Sequence, residues 1–454
     1  MATIAFLSLF FGLIVGSCPV ELAVGGPVAA VELRMDGQSV RTLQGPPWKT
    51  EIDFGVDLQP HEIVARALDA QGNEIARAQD WANLPHPHTK VEVILEREKL
   101  GAPKAAKVVW TDLKGEKPAA RLLTFDGVPV TLDAAGRAVL PAHDLKSVHV
   151  ITVEVAFPSG RSARKEIAYG GEYGTQISTE LTAVPVRVRQ GSKLPPAWKL
   201  RGWLTAEGRP LSVAAVEEGP AQLYVVRSPG IPKAIWDMVS SRQESKPEEN
   251  DPKQEGKEIR IPGGWASLRL GREDAVRIVF PYSQRFEGSG EGSLTDLFTI
   301  SNDFYTQDRS FPLLLATARG PVPVRGAHLR FADVVAVSAL EATTENRRRA
   351  VLLVLSPEVK DLSRHDPATV RRYLAALRVP LFVWCLGEPE PGSAATSWGK
   401  VEIIKEEGDL ERAFKALREV LDSQRIVMVD GRHLPQSIAL APKAVGVELA
   451  GATP

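Results

Sequence analysis

Residues able to do acid–base, nucleophilic or metal-binding chemistry are sparse in this chain. Its 454 residues hold eight histidines and two cysteines. Catalysis of either kind needs His, Asp, Glu, Ser or Cys groups held together in space. The spacings G-x-S-x-G and H-E-x-x-H are absent, and so is a P-loop. Gly288-Ser289-Gly290-Glu291-Gly292 is glycine-rich but joins no strand to a lysine-bearing helix, so it reads as a loop rather than a phosphate cradle. His86 and His88 flank Pro87, a pair that reads first as a proline-stiffened linker. His61 opens an expected strand, His143 and His149 fall in β structure, and His433 lies near the C-terminus. Cys18 and Cys385 make no disulfide framework and no zinc spacing. Cys385 sits in an apolar run and reads as a small core hydrophobe. These patterns assign no catalytic residue, no metal ligand and no cofactor.

The elements that must position any site are clearest at residues 343–387. Ala350–Leu355 is a continuous apolar run, suited to a parallel strand buried on both faces. Asp366-Pro367 supplies an N-cap and a proline at the first helical position. Val370, Tyr373, Leu374 and Leu377 follow at helical spacing. Pro380–Cys385 is a second buried-type strand. Two such strands joined through a helix form a βαβ unit with a right-handed crossover. Leu410, Ala413, Phe414, Leu417, Val420 and Leu421 predict a further amphipathic helix, capped by Asp409. His365-Asp366 stands at a helix start, where the aspartate already has a capping role.

Arg348–Pro357 and Val379–Gly387 resemble the strands written RRALVLLSDG and VPVYVIGLG in von Willebrand factor A (vWA) domains of bacterial secreted proteins. The resemblance spans roughly residues 218–425. It implies a Rossmann-type open sheet with flanking helices and, ordinarily, a divalent-metal site. That site uses D-x-S-x-S after the first strand, a threonine before a helix and an aspartate after the fourth strand, all oxygen donors. Here Arg227-Ser228-Pro229-Gly230-Ile231 stands at the first position, His328 in RGAHLRFAD at the second, and Pro357 at the third. An arginine in place of the acid repels a cation, so the resemblance implies the scaffold with a degenerate metal site. A shifted site would draw on Glu358, Asp333 and Ser228. The expected binding rim is Arg227, Ser228, His328, Arg330 and Glu358. A His328/His365/Glu358 cluster at the top of the sheet is the remaining catalytic arrangement, since open α/β sheets bind ligands beyond the carboxyl ends of their strands.

The N-terminal half reads as all-β. Val31, Leu33 and Met35 alternate up to Asp36-Gly37, a strong turn signal, and Leu122–Phe125 leads into Asp126-Gly127. Gln71-Gly72-Asn73 and Pro158-Ser159-Gly160 mark the later turns, about 35 residues on in each case. The recurrence predicts two Ig-like β-sandwich modules, at 19–96 and 97–190. Residues 191–217 are expected to link them to an α/β domain at 218–425, with a strand and irregular tail at 426–454. Ser245–Glu258 is charged and without apolar periodicity, and reads as a solvated insertion. Arg347-Arg348-Arg349 reads as a solvated loop below the sheet.

Residues 1–18 carry an apolar core, Ile4–Val15, too short to span a membrane but suited to a secretory signal. Val15-Gly16-Ser17-Cys18 resembles a lipobox, which would make Cys18 a lipidation site and membrane anchor. The expected location is extracytoplasmic. A length of 454 residues implies about three domains. With 55 Lys+Arg against 56 Asp+Glu and no basic stripe, a nucleic-acid partner is excluded. The leading expectation is an exported protein–protein interaction module with an unidentified protein partner. A structural component of an envelope complex, binding through its β modules, is the alternative, and a hydrolase with an unrecognised site the third.

Overall fold

The computed structural model describes residues 3–451 except 9, 11, 86–88, 98–101, 113–116, 159–161, 171–172, 178–180, 244–266, 288–293, 308 and 321–327. The expected insertion Ser245–Glu258, the glycine-rich Gly288–Gly292 and both histidines around Pro87 lie outside the described residues. The chain is mostly β-sheet, in several separate sheets, with few helices. It forms two compact units. Residues 1–85, 183–429 and 433–454 make the larger, and 86–182 with 430–432 the smaller.

The first β module of the larger unit contains β1 (Thr3–Phe6), β2 (Ser17–Gly25), β3 (Ala30–Met35), β4 (Gln38–Leu43), β5 (Lys49–Asp53), β6 (His61–Leu68) and β7 (Glu74–Ala82). Its two sheets run β1-β2-β5 and β4-β3-β6-β7. Val20, Leu22 and Ile52 of the first meet Val31, Leu33, Ile63 and Ala65 of the second, so the module is a sandwich. The structure departs here from the expected start at residue 19. Residues 3–6 pair with Leu22–Gly25, and Phe10 is buried in the same core. A short apolar run reads equally well as a leader core or as an edge strand, and here its first residues, Thr3–Phe6, are paired as a strand. Cys18 lies in β2 opposite Ile52, half-buried against that core, which pushes its thiol up.

The smaller unit contains β8 (Thr89–Arg97), β9 (Pro103–Asp112), β10 (Ala120–Phe125), β11 (Val128–Val130), β12 (Arg137–Val139), β13 (Val148–Ala156), β14 (Ser162–Gly170) and β15 (Tyr173–Ile177). Its sheets run β8-β9-β12 and β11-β10-β13-β14-β15. Apart from β15, this is the strand order of the first module. The two modules also share one local device. Asp36 and Asp126 take left-handed backbone conformations, with φ of 50° and 49°, in their Asp-Gly turns, a region aspartate tolerates better than most side chains. Asp36 binds His61 Nδ1 at 2.7 Å and accepts from the Glu62 amide at 2.9 Å. Asp126 binds His149 Nδ1 at 2.8 Å and accepts from the Val150 amide at 2.8 Å.

Residues 191–217 are more than a linker, and 430–454 more than an irregular tail. β16 (Leu181–Val188), β17 (Leu204–Ala206), β18 (Arg209–Pro210) and β19 (Val213–Glu217) combine with β27 (Gln424–Asp430), β28 (Ile438–Leu440) and β29 (Val447–Leu449). They form two sheets, β19-β27-β16-β29 and β18-β17-β28, around Val184, Val186, Leu204, Val427, Val429 and Ile438. The partners lie more than two hundred residues apart, as in Thr205 opposite Ala439, so no local pattern could reveal them.

An α/β domain is inserted between β19 and β27. It contains β20 (Ala221–Arg227), α1 (Ile231–Gln243), β21 (Ala275–Glu287), β22 (Leu294–Ile300), β23 (Phe304–Tyr305), α2 (Phe311–Thr317), α3 (Phe331–Ala342), β24 (Arg348–Leu355), α4 (Pro367–Ala376), β25 (Leu381–Cys385), β26 (Glu402–Ile403) and α5 (Glu407–Ser423). The sheet order is β22-β21-β20-β24-β25-β26, parallel except for antiparallel β22, with β23 beside β21. Alternate residues of β20 and β24 serve opposite faces. Leu223, Val225, Leu352 and Val354 meet α1, α2 and α5, while Tyr224, Val226, Val351 and Leu353 meet α3 and α4. Burial on both sides explains the unbroken apolar runs. Asp366 caps α4, accepting from the Thr369 amide at 2.9 Å. Asp409 is not the N-cap of α5: Glu406 holds that place, and Asp409 closes a capping box from the third helical position.

The arginine triplet is not a solvated loop. Arg347 pairs with Glu345 at 2.6 Å. Arg348 ties together both connections of the inserted domain, donating to Gly219 O at 2.7 Å and Leu421 O at 2.9 Å while pairing with Asp274 at 3.1 Å. Arg349 is buried, which lowers its guanidinium to about 10. The Gln424 side chain exchanges two 2.9 Å hydrogen bonds with the Arg349 backbone, as a neighbouring strand would.

Candidate functional site

The strand order of the open sheet reverses between β20 and β24, and ligands of such sheets bind beyond the carboxyl ends of the strands at that point. β20 ends at Arg227 and is followed by Ser228, and β24 ends at Leu355 and is followed by Ser356, Pro357 and Glu358. Ser228 and Ser356 are buried, with their hydroxyls 2.6 Å apart. Ser228 Oγ also accepts from the Ser356 amide at 3.1 Å. Gly230 admits this contact, because a Cβ there would come within 2.8 Å of Ser356 Oγ. The pair fastens the two strand ends to each other, and Ser228, 0% exposed, offers its hydroxyl to no ligand. Ser228 is thus not a binding residue of an open rim.

Arg227, expected on the rim, is not there either. Its side chain is buried and turned towards the C-terminus of α2. It donates to Leu315 O at 2.5 Å and to Ala318 O, and lies 5.8 Å over the Phe280 ring. The last carbonyls of a helix are unsatisfied and carry partial negative charge, which a guanidinium complements. Burial lowers the Arg227 guanidinium, and nearby Tyr282 pulls the other way. Arg227 is a cap for α2, out of reach of a partner.

The third rim segment is the start of α3, where Arg330 is the N-cap residue. Arg330 pairs with Asp333 through Nε and Nη2, each at 2.7 Å, and covers the Phe298 ring at 5.1 Å. Asp333 is buried and faces the loop that follows β24. It accepts from the Arg364 and His365 amides at 3.0 Å and from His365 Nδ1 at 2.8 Å. Burial by itself would raise the Asp333 carboxyl. Hydrogen bonds from His365, the Arg364 amide and Arg330 outweigh it and hold the group well below the usual carboxylate range. Asp361 works in the opposite direction, accepting from the Phe331 and Ala332 amides at 2.9 and 3.0 Å. It thereby caps α3 from outside the helix. Burial dominates there and pushes the Asp361 carboxyl up, against bonds from Ser363 and the α3 amides.

Of the expected rim, His328 and Glu358 are exposed, and Arg330 is half-buried. Leu362, 55% exposed, joins them from the loop after β24, as do the exposed Lys360 and Arg364. His328, His365 and Glu358 do not form one cluster, because His365 is spent on Asp333 and its Nε2 is buried without a partner. Sequence reasoning did not single out Ser356, Asp361 or Arg364. The one available signal was the concentration of Asp361, Ser363 and Asp366 in a loop between a strand and a helix, typical of residues that bind backbone amides. Cys385, at the end of β25, is buried. Desolvation, reinforced by Glu358 and Glu388, pushes its thiol up to about 11.

The positions that the resemblance equates with D-x-S-x-S hold a guanidinium committed to α2, the proline Pro229 and the core residue Ile231, 0% exposed. The position after β24 is Pro357. That donor set does not suit a hard divalent cation. Among the described residues, no group of three or more His, Cys, Asp or Glu side chains is arranged to hold a metal ion.

No family model matches the chain, and no curated protein does. Solved structures similar to parts of it include fibronectin(III)-like modules of Clostridium thermocellum CbhA, at 14% identity over 37% of this chain and 93% of theirs, TM-score 0.15. Proximal thread matrix protein 1 of the mussel byssus matches at 11% identity over 46% of this chain and 47% of its own, TM-score 0.25. A beta-glycosidase from Bacteroides vulgatus matches at 15% identity over 37% and 24%, TM-score 0.20. The chain thus spans under half of the byssus protein and about a quarter of the glycosidase. With TM-scores this low, the architecture rests on the chain's own strand order.

Proposed function

We propose that the chain is a protein–protein interaction module: two Ig-like β modules and a third β module that carries a vWA-like domain whose rim is braced without metal. The parallel order β21-β20-β24-β25-β26 and the β24–α4–β25 unit support the vWA-like reading. The observation that carries the rest is that hydrogen bonds tie the three rim segments together. Ser228–Ser356 links the ends of β20 and β24, and Asp361, Asp333, Arg364 and His365 link the β24 loop to α3. A rim braced in this way presents a fixed surface, on which His328, Glu358, Lys360, Leu362 and Arg364 recognise a protein by shape, hydrogen bonding and charge. We place the protein outside the cytoplasm, as expected for such modules, with Cys18 as its anchor in a form processed at the lipobox.

The test is capture of partners from native envelope by the full chain, with Mg²⁺ and with EDTA, repeated with Leu362→Asp and Glu358→Lys. Equal capture in Mg²⁺ and EDTA, lost in both variants, supports the reading. Capture that requires Mg²⁺ refutes the metal-free rim. A second reading makes the β modules the contact surface of an assembly. Val128 and Val139 of the smaller unit favour it, at 63% and 67% exposed. Loss of capture on Val128→Asp with Val139→Asp, but not on Leu362→Asp, selects that reading.

A further inference from the structure

The third β module of the larger unit ends, on one side, in three loops held to each other. Residues 189–193 follow β16, 197–203 lead into β17, and 441–446 join β28 to β29. The Arg189 amide donates to Gly446 O at 2.9 Å, the Ala441 amide to Trp203 O at 2.8 Å, and Lys443 Nζ to Arg201 O at 2.8 Å. The loops expose Arg189, Lys193, Lys199, Arg201 and Lys443. Residues 189–203 and 441–446 contain no Asp or Glu. Arg189 does reach a carboxylate, Glu448 at 3.9 Å, but Arg187 already pairs with that group at 3.2 Å. Two apolar side chains stand among these charges. Trp198 is 74% exposed, the most exposed aromatic residue among those described, and Val445 is 79% exposed. Lys199 Nζ lies 4.8 Å over the Trp198 ring.

We propose that these loops bind the surface of a membrane rich in anionic phospholipid. The cations meet the headgroup phosphates, while the Trp198 indole and Val445 enter the boundary between headgroups and acyl chains. Tryptophan favours that boundary because its ring is apolar and its N–H needs a polar partner. Lys and Arg lay their apolar stems along the same boundary and keep their charges among the headgroups. A protein partner fits less well. A stable interface takes about 20–30 residues a side around an apolar core, and two apolar side chains set among like charges make no such core. A bare polyanion would engage the cations but leave Trp198 and Val445 in water. The surface belongs to a different module from the rim, and it needs no lipid on Cys18.

The experiment floats the full, unlipidated chain with vesicles of phosphatidylcholine or of phosphatidylglycerol, and repeats it with lipids brominated on the acyl chains, which quench tryptophan. Binding to phosphatidylglycerol alone is expected, weakening with added salt and accompanied by quenching that Trp198→Phe largely removes. Trp198→Asp, a change at an exposed site, should abolish binding. Lys193→Gln and Lys199→Gln should each weaken it about fivefold. Cys18→Ser should leave it unchanged. No binding to phosphatidylglycerol, equal binding to both lipids, or binding without quenching overturns the proposal. So does undiminished binding in Trp198→Asp, loss in Cys18→Ser, or binding to dextran sulfate as tight as to vesicles.

Discussion

Replacing Asp333 by asparagine tests the metal-free brace most directly. The carboxylate accepts from Arg330 and the Arg364 amide through Oδ2, and from the His365 amide and imidazole through Oδ1. An amide keeps one acceptor oxygen and turns an NH₂ group against donors at the other position. With the oxygen retained towards His365, the Arg330 pair and the Arg364 amide lose their acceptor. A hydrogen bond to a charged group is worth about 1.5–3 kcal/mol net. Arg330 is 28% exposed and can turn to water, which reduces its share. The expected loss is about 2–4 kcal/mol of local stability. Several modules make global two-state unfolding a poor measure. Amide hydrogen exchange at Phe331 and Ala332, which Asp361 caps from the same loop, is the better assay. Protection there should fall by roughly two orders of magnitude, since about 1.4 kcal/mol is a factor of ten. In a cycle with His365→Ala the two losses should be non-additive by about 1–2 kcal/mol. A loss below about 0.5 kcal/mol, or strict additivity with His365→Ala, refutes the brace.

Acid should act on the same element. Asp333 is depressed in the folded state, so its contribution is present above the ordinary carboxylate value of about 4 and lost as pH falls below it. Asp361 is raised and offsets part of that loss, so protection at Phe331 should decline more steeply with falling pH in Asp361→Asn than in the parent. Arg227→Leu should cost about 2–4 kcal/mol, by stripping the α2 carbonyls of their donor, read by amide exchange in α2, and Arg227→Asp should yield no Mg²⁺ site, read by calorimetric titration with the ion. Phe10→Ala should cost about 3–5 kcal/mol, and a chain starting at Pro19 should lose at least as much because β1 goes with it; exchange at β2 amides is the check. The Cys385 thiol should resist a thiol reagent at pH 8 in the native protein and react only on unfolding, while half-buried Cys18 labels sooner.

What could be read from the residues alone were features written over short spans. The apolar run Ala350–Leu355, the Asp366-Pro367 helix start and the helical spacing of Val370, Tyr373 and Leu374 each follow from backbone geometry repeating every few residues. The Asp-Gly turns at 36–37 and 126–127 were legible because few other pairs accept that backbone. Features that depend on distant partners were not. The pairing of residues 204–217 with 424–440 joins segments on either side of an entire inserted domain. Whether residues 3–6 remain as an edge strand turns on the unpaired side of β2. The direction of the Arg227 side chain was open in the same way. Its position at the end of β20 followed from the sequence, but nothing local says that the carbonyl end of α2 lies beneath it. Sequence by itself determined which segments become strands and helices and which side of each is apolar. Tertiary structure alone decided which polar groups face one another at the rim, because a hydrogen bond is a property of two distant residues brought to within about 3 Å.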